Sequence, residues 1–174
     1  MIKFFILLGL FAAALYSETI KTYFSPNDHL DQRLIELIDG EKCAIYGAVY
    51  SFTNQKIGSA LERAKERGVH VQLICDSTAF ESRYPASKLA KKGIQVECFD
   101  GELEKKANRA LMHHKFCLFK ENQQGKKLVW TGSYNWTYKA SKKNAENAVV
   151  FQDEKTYDAF LQEFKQMSKK NVIR

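Results

Sequence analysis

Two rhythms of apolar residues run along the chain. Between residues 20 and 99, short apolar runs alternate with stretches in which apolar side chains recur every three or four positions. Ile20 to Phe24 predicts a short strand, closed by Ser25-Pro26-Asn27. Asp28 is placed to cap a helix running to Ile38, with Leu30, Leu34, Leu37 and Ile38 on one face and Gly40 at its end. Cys43 to Phe52 is almost continuously apolar, as a strand covered on both faces must be. Gln55 to Arg67 predicts a second helix closed by Gly68, and Val69 to Cys75 a strand ending at Asp76. Ala86 to Lys92 predicts a third helix, and Ile94 to Phe99 a strand ending at Asp100-Gly101. Strand–helix–strand alternation implies parallel pairing with helices on the faces.

The rhythm then changes. Met112 to Phe119, Lys127 to Thr131 and Ala145 to Phe151 are strand-like, with no helical pattern long enough to join them, so they should pair partly antiparallel. Tyr157 to Met167 predicts a closing amphipathic helix with Tyr157, Phe160, Leu161 and Phe164 inward. The expected fold class is α/β: a mixed, mainly parallel β-sheet sandwiched by helices. It forms one domain of about 155 residues, enough to bury a core.

The first 17 residues, MIKFFILLGLFAAALYS, stand apart. One lysine precedes a run from Phe4 to Tyr16 without charge, and Ser17 is small enough to precede a cut. This pattern fits a secretory signal peptide or a short membrane anchor, and it falls short of the roughly 20 residues of a comfortable transmembrane helix. Residues 1–17 and 18–174 are therefore read as leader and domain, with an exported destination, periplasmic or secreted. Membrane association through the leader is the alternative to its removal. Cys43, Cys75, Cys98 and Cys117 form no C-x-x-C pair and lie in strand-like runs, so buried thiols are expected over a zinc site. Export would also permit a disulfide.

Charge narrows the partners. With 27 basic and 20 acidic residues the chain carries +7, which suits an anionic partner. Ordinary globular composition, 45% hydrophobic and 27% charged, excludes a disordered chain and a multi-span membrane protein.

The candidate chemistry begins at Met112-His113-His114-Lys115. On a strand, His113 and Lys115 share a face and His114 points away. A histidine beside a lysine is electrostatically odd unless an anion belongs between them, and the lysine helps keep His113 neutral. Downstream stands Thr131-Gly132-Ser133-Tyr134-Asn135-Trp136-Thr137, where Gly132 lets the backbone turn close to a ligand and Ser133 and Asn135 offer donors to phosphate oxygens. Glu146 opens the next strand, placed to accept from His113 and fix its tautomer. Asp76 and Asp100 end strands, where turn-making suits them better than a two-metal carboxylate cluster.

Together HHK, TGSYNWT and Glu146 resemble the phospholipase D superfamily, whose signature is H-x-K, four residues, Asp, then G-S-x-N. They look most like its small single-motif nucleases, the bacterial secreted endonucleases and the animal Zucchini-type proteins. The likeness extends over nearly all of residues 18–174, including YSFTNQKIGSALERAKERGVHVQLICD. One position departs: Lys120 stands where the family has Asp. The resemblance implies that His113 attacks phosphorus and forms a phosphohistidine. It implies that Lys115 and Asn135 hold the non-bridging oxygens, that Ser133 positions the histidine or phosphate, and that Glu146 orients His113. No metal or cofactor enters this scheme. A chain with one H-x-K must supply the second by dimerising, so a twofold homodimer with one composite site is expected, His113 of the partner subunit acting as acid and base.

Lys105, Lys106, Arg109, Lys120, Lys126, Lys127, Lys139, Lys142 and Lys143 fall near the motifs in sequence, interleaved with Tyr134, Trp136 and Tyr138. Cations with aromatics suit single-stranded nucleic acid, and a narrow twofold groove admits one strand more easily than a duplex. The expected activity is metal-independent cleavage of single-stranded DNA or RNA. The alternatives are a lipid phosphodiesterase such as a cardiolipin hydrolase, which would need an apolar groove beside His113, and a non-catalytic nucleic-acid-binding protein, suggested by Lys120.

Overall fold

The computed structural model describes residues 20–99, 110–169 and 172–173. The leader 1–17, together with Asp100, Lys105, Lys106 and Arg109, lies outside the described residues. The strands are β1 (Ile20–Ser25), β2 (Ala44–Val49), β3 (His70–Asp76), β4 (Gln95–Phe99), β5 (Lys115–Phe119), β6 (Leu128–Gly132), β7 (Glu146–Phe151) and β8 (Val172–Ile173). The helices are α1 (Leu30–Gly40), α2 (Gln55–Glu66), α3 (Pro85–Lys91), α4 (Tyr138–Lys142) and α5 (Glu154–Lys169). One sheet contains every strand in the order β1-β7-β6-β5-β2-β3-β4-β8.

The sheet is mixed and flanked by helices, as the sequence predicts, but parallel pairing is confined to β2–β3 and β3–β4. Those two pairs are the ones joined through a helix, α2 or α3, which carries the chain back to the starting edge. The remaining pairs, β1–β7, β7–β6, β6–β5, β5–β2 and β4–β8, are antiparallel. Parallel character is therefore the minority, because the second half lacks long crossover helices.

Two apolar layers follow from the period-two pleat. Leu30, Leu34 and Ile38 of α1 and Ile57, Leu61 and Ala64 of α2 pack with Ile45, Cys117 and Phe119 on one face. Tyr157, Phe164 and Met167 of α5 cover Ala48, Ile74, Phe116 and Leu118 on the other. Phe160 and Leu161 sit at the margin, partly buried. No helix among the described residues is long and apolar enough to cross a membrane.

Local signals differ at three places. Asp28 does not cap α1: its Oδ2 accepts the backbone N–H of Phe24 at 2.7 Å, closing the turn after β1. The cap position passes to His29, which takes a left-handed conformation (φ 50°) and makes no side-chain cap. Asn54 caps α2 instead, accepting from Lys56 N at 3.0 Å. The short helix α4 has too few apolar positions to show a period, but Thr137 caps it by accepting from Ala140 N at 3.1 Å. No disulfide joins the four cysteines. Cys75 and Cys117 are fully buried, which pushes both thiols up, out of the range of reactive thiolates.

Candidate active site

The ladder register puts the chemistry at one end of the sheet. Val49 pairs with Lys115, Gly132 with Ala148, and Ser25 with Glu146, so β2 and β6 finish where β5 and β7 begin. His113 and His114 precede β5 as extended chain, three residues short of the strand start at Met112 that the sequence suggests. Their side chains separate as alternation requires. His114 turns toward α5, with Nε2 3.6 Å from Glu163 Oε1. Lys115 shares the face of His113, its Nζ 2.9 Å from Nδ1, 3.2 Å from Nε2 and 2.6 Å from the His113 carbonyl oxygen. An ammonium carries donors only, so a ring nitrogen that bonds it presents a lone pair. The ring so bonded is in the neutral form that a nucleophilic imidazole requires, and its lone pair is released when the ammonium turns to an incoming anion.

The segment after β2 splints the two motifs together. Tyr50 N donates to the His114 carbonyl at 3.0 Å, and Thr53 N and Asn54 N both donate to the Trp136 carbonyl at 2.9 Å. Trp136 N returns a bond to the Ser51 carbonyl at 3.0 Å. Ser51 N donates to Asn135 Oδ1 at 3.2 Å. With its oxygen occupied by a backbone donor, Asn135, a residue of the groove lining, has its Nδ2 donor left to offer a ligand. Gly47 is required by the same packing, since a Cβ there would fall 2.8 Å from the Trp136 ring. Gly132 is required more strictly. Its φ of +155° and the Asn147 carbonyl oxygen in the place of a Cβ exclude any side chain.

His113, Lys115, Ser133 and Asn135 line one open groove of about 470 Å³, with His114, Thr131 and Gly132 completing its wall. Four of the five candidate residues therefore converge. Glu146 stands behind them. Its Oε2 accepts from Ser133 Oγ at 2.6 Å and its Oε1 from Asn144 Nδ2 at 2.8 Å. Among the described residues no hydrogen bond joins Glu146 to His113, so the carboxylate expected on the histidine holds the serine. Its own backbone N–H is pinned by Ser25 Oγ at 3.0 Å, and Ser133 Oγ accepts from Asn147 N at 3.0 Å, which leaves the pair little freedom to reorient. The His113 ring rests instead on Tyr50, with centroids 4.7 Å apart. The Lys115 ammonium lies 5.4 Å over the same Tyr50 ring.

Partial burial lowers the Lys115 pKa, and the Glu146 carboxylate offsets part of that shift. For a lysine a lowered folded pKa means that the charged form costs stability. The cost is full at neutral pH and fades as pH rises through the lowered value toward the unfolded one. Replacing Glu146 with glutamine removes the offset. The Lys115 ε-carbon, followed by NMR, should then titrate at lower pH than in the parent, which itself titrates below the ordinary lysine range.

Several side chains depart from their expected places. Tyr134 and Trp136 are fully buried, with Tyr134 Oη 2.7 Å from Ser141 Oγ, so they are core and cannot stack on a substrate. An apolar partner surface on both sides decided this, which the run of residue types does not display. Lys120, Lys126 and Lys127 lie at the far end of the β5–β6 hairpin, about 15 Å from Lys115 at ~3.3 Å per residue. Lys127 is engaged there by Asp158 at 3.4 Å and Glu154 at 3.8 Å. Sequence proximity misleads because the chain leaves the site along one strand and returns along the next.

Three further residues bear on the site. Tyr50 supports the His113 ring in a tilted contact; in the sequence it is one more apolar residue of the run from Cys43 to Phe52 and the first of the family-like stretch YSFTNQK, which gives no sign of that role. Asp76 makes the turn expected of it, with Oδ1 accepting from Thr78 N and Thr78 Oγ1. Its Oδ2 also accepts from Met112 N at 3.2 Å, which fixes the residue before His113. Glu41 is buried, with Oε1 accepting from Cys43 N at 2.8 Å and Ala44 N at 2.9 Å, and both oxygens from Glu121 N. Beside it, Lys120 N donates to the Ala44 carbonyl at 3.0 Å. Lys120, where the family pattern has a carboxylate, thus leaves the end of β5 anchored, by Glu41.

Comparison with known proteins agrees with this geometry. Residues 34–168 match the family model described as "Cardiolipin synthase, PLD-like domain". The mitochondrial cardiolipin hydrolase of Canis lupus familiaris is 32% identical over 137 residues, 78% of this chain and 49% of that protein. The phospholipase D of Rickettsia conorii is 30% identical over 143 residues, 82% of this chain and 66% of that one. The chain thus spans about half to two thirds of the length of these relatives. Among solved structures, Nuc from Salmonella typhimurium, a phospholipase D family member, superposes with a TM-score of 0.75 at 28% identity, covering 90% of this chain and 97% of that one. NucT from Helicobacter pylori shares the fold with a TM-score of 0.77 at 23% identity, covering 90% and 98%. The match across residues 34–168, with the H-x-K and G-S-x-N side chains gathered on one groove, shows that the chain belongs to the phospholipase D superfamily as a PLD-like domain.

Proposed function

We propose that the protein is a metal-independent phosphodiesterase that cleaves single-stranded nucleic acid through a phosphohistidine on His113. The observation that carries the reading is the Lys115 ammonium held against the His113 imidazole, 2.9 Å from Nδ1, inside a groove that Asn135 and Ser133 also line. An anionic phosphodiester entering the groove is drawn to Lys115 and the Asn135 Nδ2 donor, which stabilise the charge that grows on its non-bridging oxygens. A His113 nitrogen forms a bond to phosphorus as the bond to the leaving oxygen breaks. That oxygen takes its proton from His113 of the partner subunit in a twofold dimer. The same imidazole then removes a proton from water, which attacks phosphorus and breaks the P–N bond. Tyr50 and Asp76 fix where the nucleophile sits, and Glu146 acts through Ser133. The leader-like residues 1–17 direct this activity to the periplasm or beyond.

A second reading has its own observation. An open recess of about 420 Å³ adjoins the catalytic groove, sharing His113 and His114, and is walled by Phe99, Leu111, Met112, Met167 and the carboxylate-bearing Glu163. Four apolar side chains beside the nucleophile offer contacts to an acyl chain within a lining that is otherwise polar, and the cardiolipin hydrolase and phospholipase D relatives point the same way. Full-length protein given single-stranded DNA or cardiolipin vesicles, each in excess EDTA, separates the two. DNA cleavage that persists in EDTA supports the nuclease. Hydrolysis of cardiolipin with no cleavage of DNA transfers the assignment to lipid. Activity abolished by EDTA on both substrates contradicts the histidine mechanism.

A further inference from the structure

α4 leaves the GSxN motif directly, with Tyr138 three residues after Asn135 and so within about 10 Å of it along the chain. The helix is firmly seated. Ala140 and Ser141 are buried, Ser141 Oγ donates to the Thr137 carbonyl at 2.9 Å, and Thr137 Oγ1 accepts from Ala140 N. At 100° per residue, those two inward positions leave Tyr138, Lys142, Lys139 and Lys143 on one continuous outward arc. Tyr138 is 65% exposed, the most accessible large apolar side chain among the described residues. Lys142 is drawn aside to Asp31 at 3.4 Å. Lys139 and Lys143 make no ion pair among the described residues, and the C-cap Lys143 lies one turn after Lys139, its N–H donating to the Lys139 carbonyl at 2.9 Å.

From this placement we propose that the outward arc of α4 is the platform for the substrate strand, Tyr138 stacking on a base and Lys139 and Lys143 neutralising successive phosphates. The proposal rests on the nuclease reading and adds to it the surface that carries the strand to His113. The burial of Tyr134 and Trp136 leaves Tyr138 as the aromatic of the motif region able to stack. A membrane surface fits the arc less well, because interfacial helices present several contiguous apolar side chains and this arc presents one phenol among cations. Stacking is sequence-tolerant, and no side chain on the arc is placed to read base edges in a fixed plane.

The test compares full-length protein with Tyr138→Ser, Tyr138→Trp and the Lys139→Ser/Lys143→Ser pair, on a 20-residue oligothymidylate and on bis(4-nitrophenyl) phosphate. Tyr138→Ser should raise KM for the oligonucleotide about tenfold, with kcat little changed. Tyr138→Trp should restore it. The lysine pair should flatten the slope of log KM against log salt by about 1.4. All variants should hydrolyse the small diester as the parent does, which also reports that they fold. An unchanged oligonucleotide KM in Tyr138→Ser, with the parent cleaving DNA, overturns the platform and spares the nuclease. An equal loss on the small diester overturns it too, by placing α4 in the reacting site. A parent that hydrolyses the small diester and leaves DNA intact overturns both readings.

Discussion

Replacing His113 with alanine should lower kcat/KM for a phosphodiester by at least about 10,000-fold, while His114→Ala should stay within about tenfold of the parent. The first figure is the scale expected when the group that bonds to the reacting atom is removed and the charged groove remains. The second follows from the direction of the side chain: His114 borders the groove but turns its ring from His113 toward α5, where its contact to Glu163 is long, at 3.6 Å, and both side chains are about half exposed, so it contributes little. Steady-state hydrolysis of bis(4-nitrophenyl) phosphate measures both. The contrast is sharp because the two histidines are adjacent in sequence and differ only in which way the extended chain points them. Equal losses in the two variants would mean that the side-chain alternation drawn here does not govern the site.

Glu41→Ala gives the largest loss of stability. The carboxylate meets the backbone N–H groups of Cys43, Ala44 and Glu121, tying the start of β2 to the chain just beyond β5. Alanine strands the buried Ala44 donor outright and the part-buried Cys43 and Glu121 donors in part, at about 1–3 kcal/mol for each one left unsatisfied. A net loss of about 2–3 kcal/mol should follow, equivalent to a fall in Tm of roughly 4–12 °C for a chain of this size. Thermal unfolding followed by circular dichroism reads it directly. Lys120→Ala serves as the control: that side chain is exposed, and its change should fall within about 0.5 kcal/mol. If the two variants unfold alike, Glu41 is not the anchor of this end of the sheet.

What was legible in the sequence was what depends on period and on short motifs. Strict alternation placed His113 with Lys115 and turned His114 away, and the structure keeps that division. The helical period found α1, α2 and α5 because each buries a stripe of at least three apolar residues. Gly132 stood out through its motif, and the structure supplies the reason, a carbonyl where a Cβ would be. The rest depended on contacts between distant segments. Nothing local tells that Asp28 will bond back to Phe24 instead of forward into α1. Nor does composition tell that Tyr134 and Trp136 are core while Tyr138, two residues after Trp136, is open to solvent. Glu41 and Glu121 meet only because β2 and β5 pair across the sheet, so the anchor that offsets Lys120 had no signal of its own. The mainly antiparallel sheet followed from connections too short to carry a crossover.

The central claim is a double displacement through His113, and the stereochemical course at phosphorus tests it most directly. A dinucleoside phosphorothioate of known configuration, hydrolysed by the full-length protein in oxygen-18 water, yields a product whose configuration records the number of displacements. Each in-line attack inverts phosphorus, so formation and hydrolysis of a phosphohistidine give net retention. Retention is the result this account predicts. Inversion would mean that water attacks the substrate in a single step and that His113 is not the nucleophile.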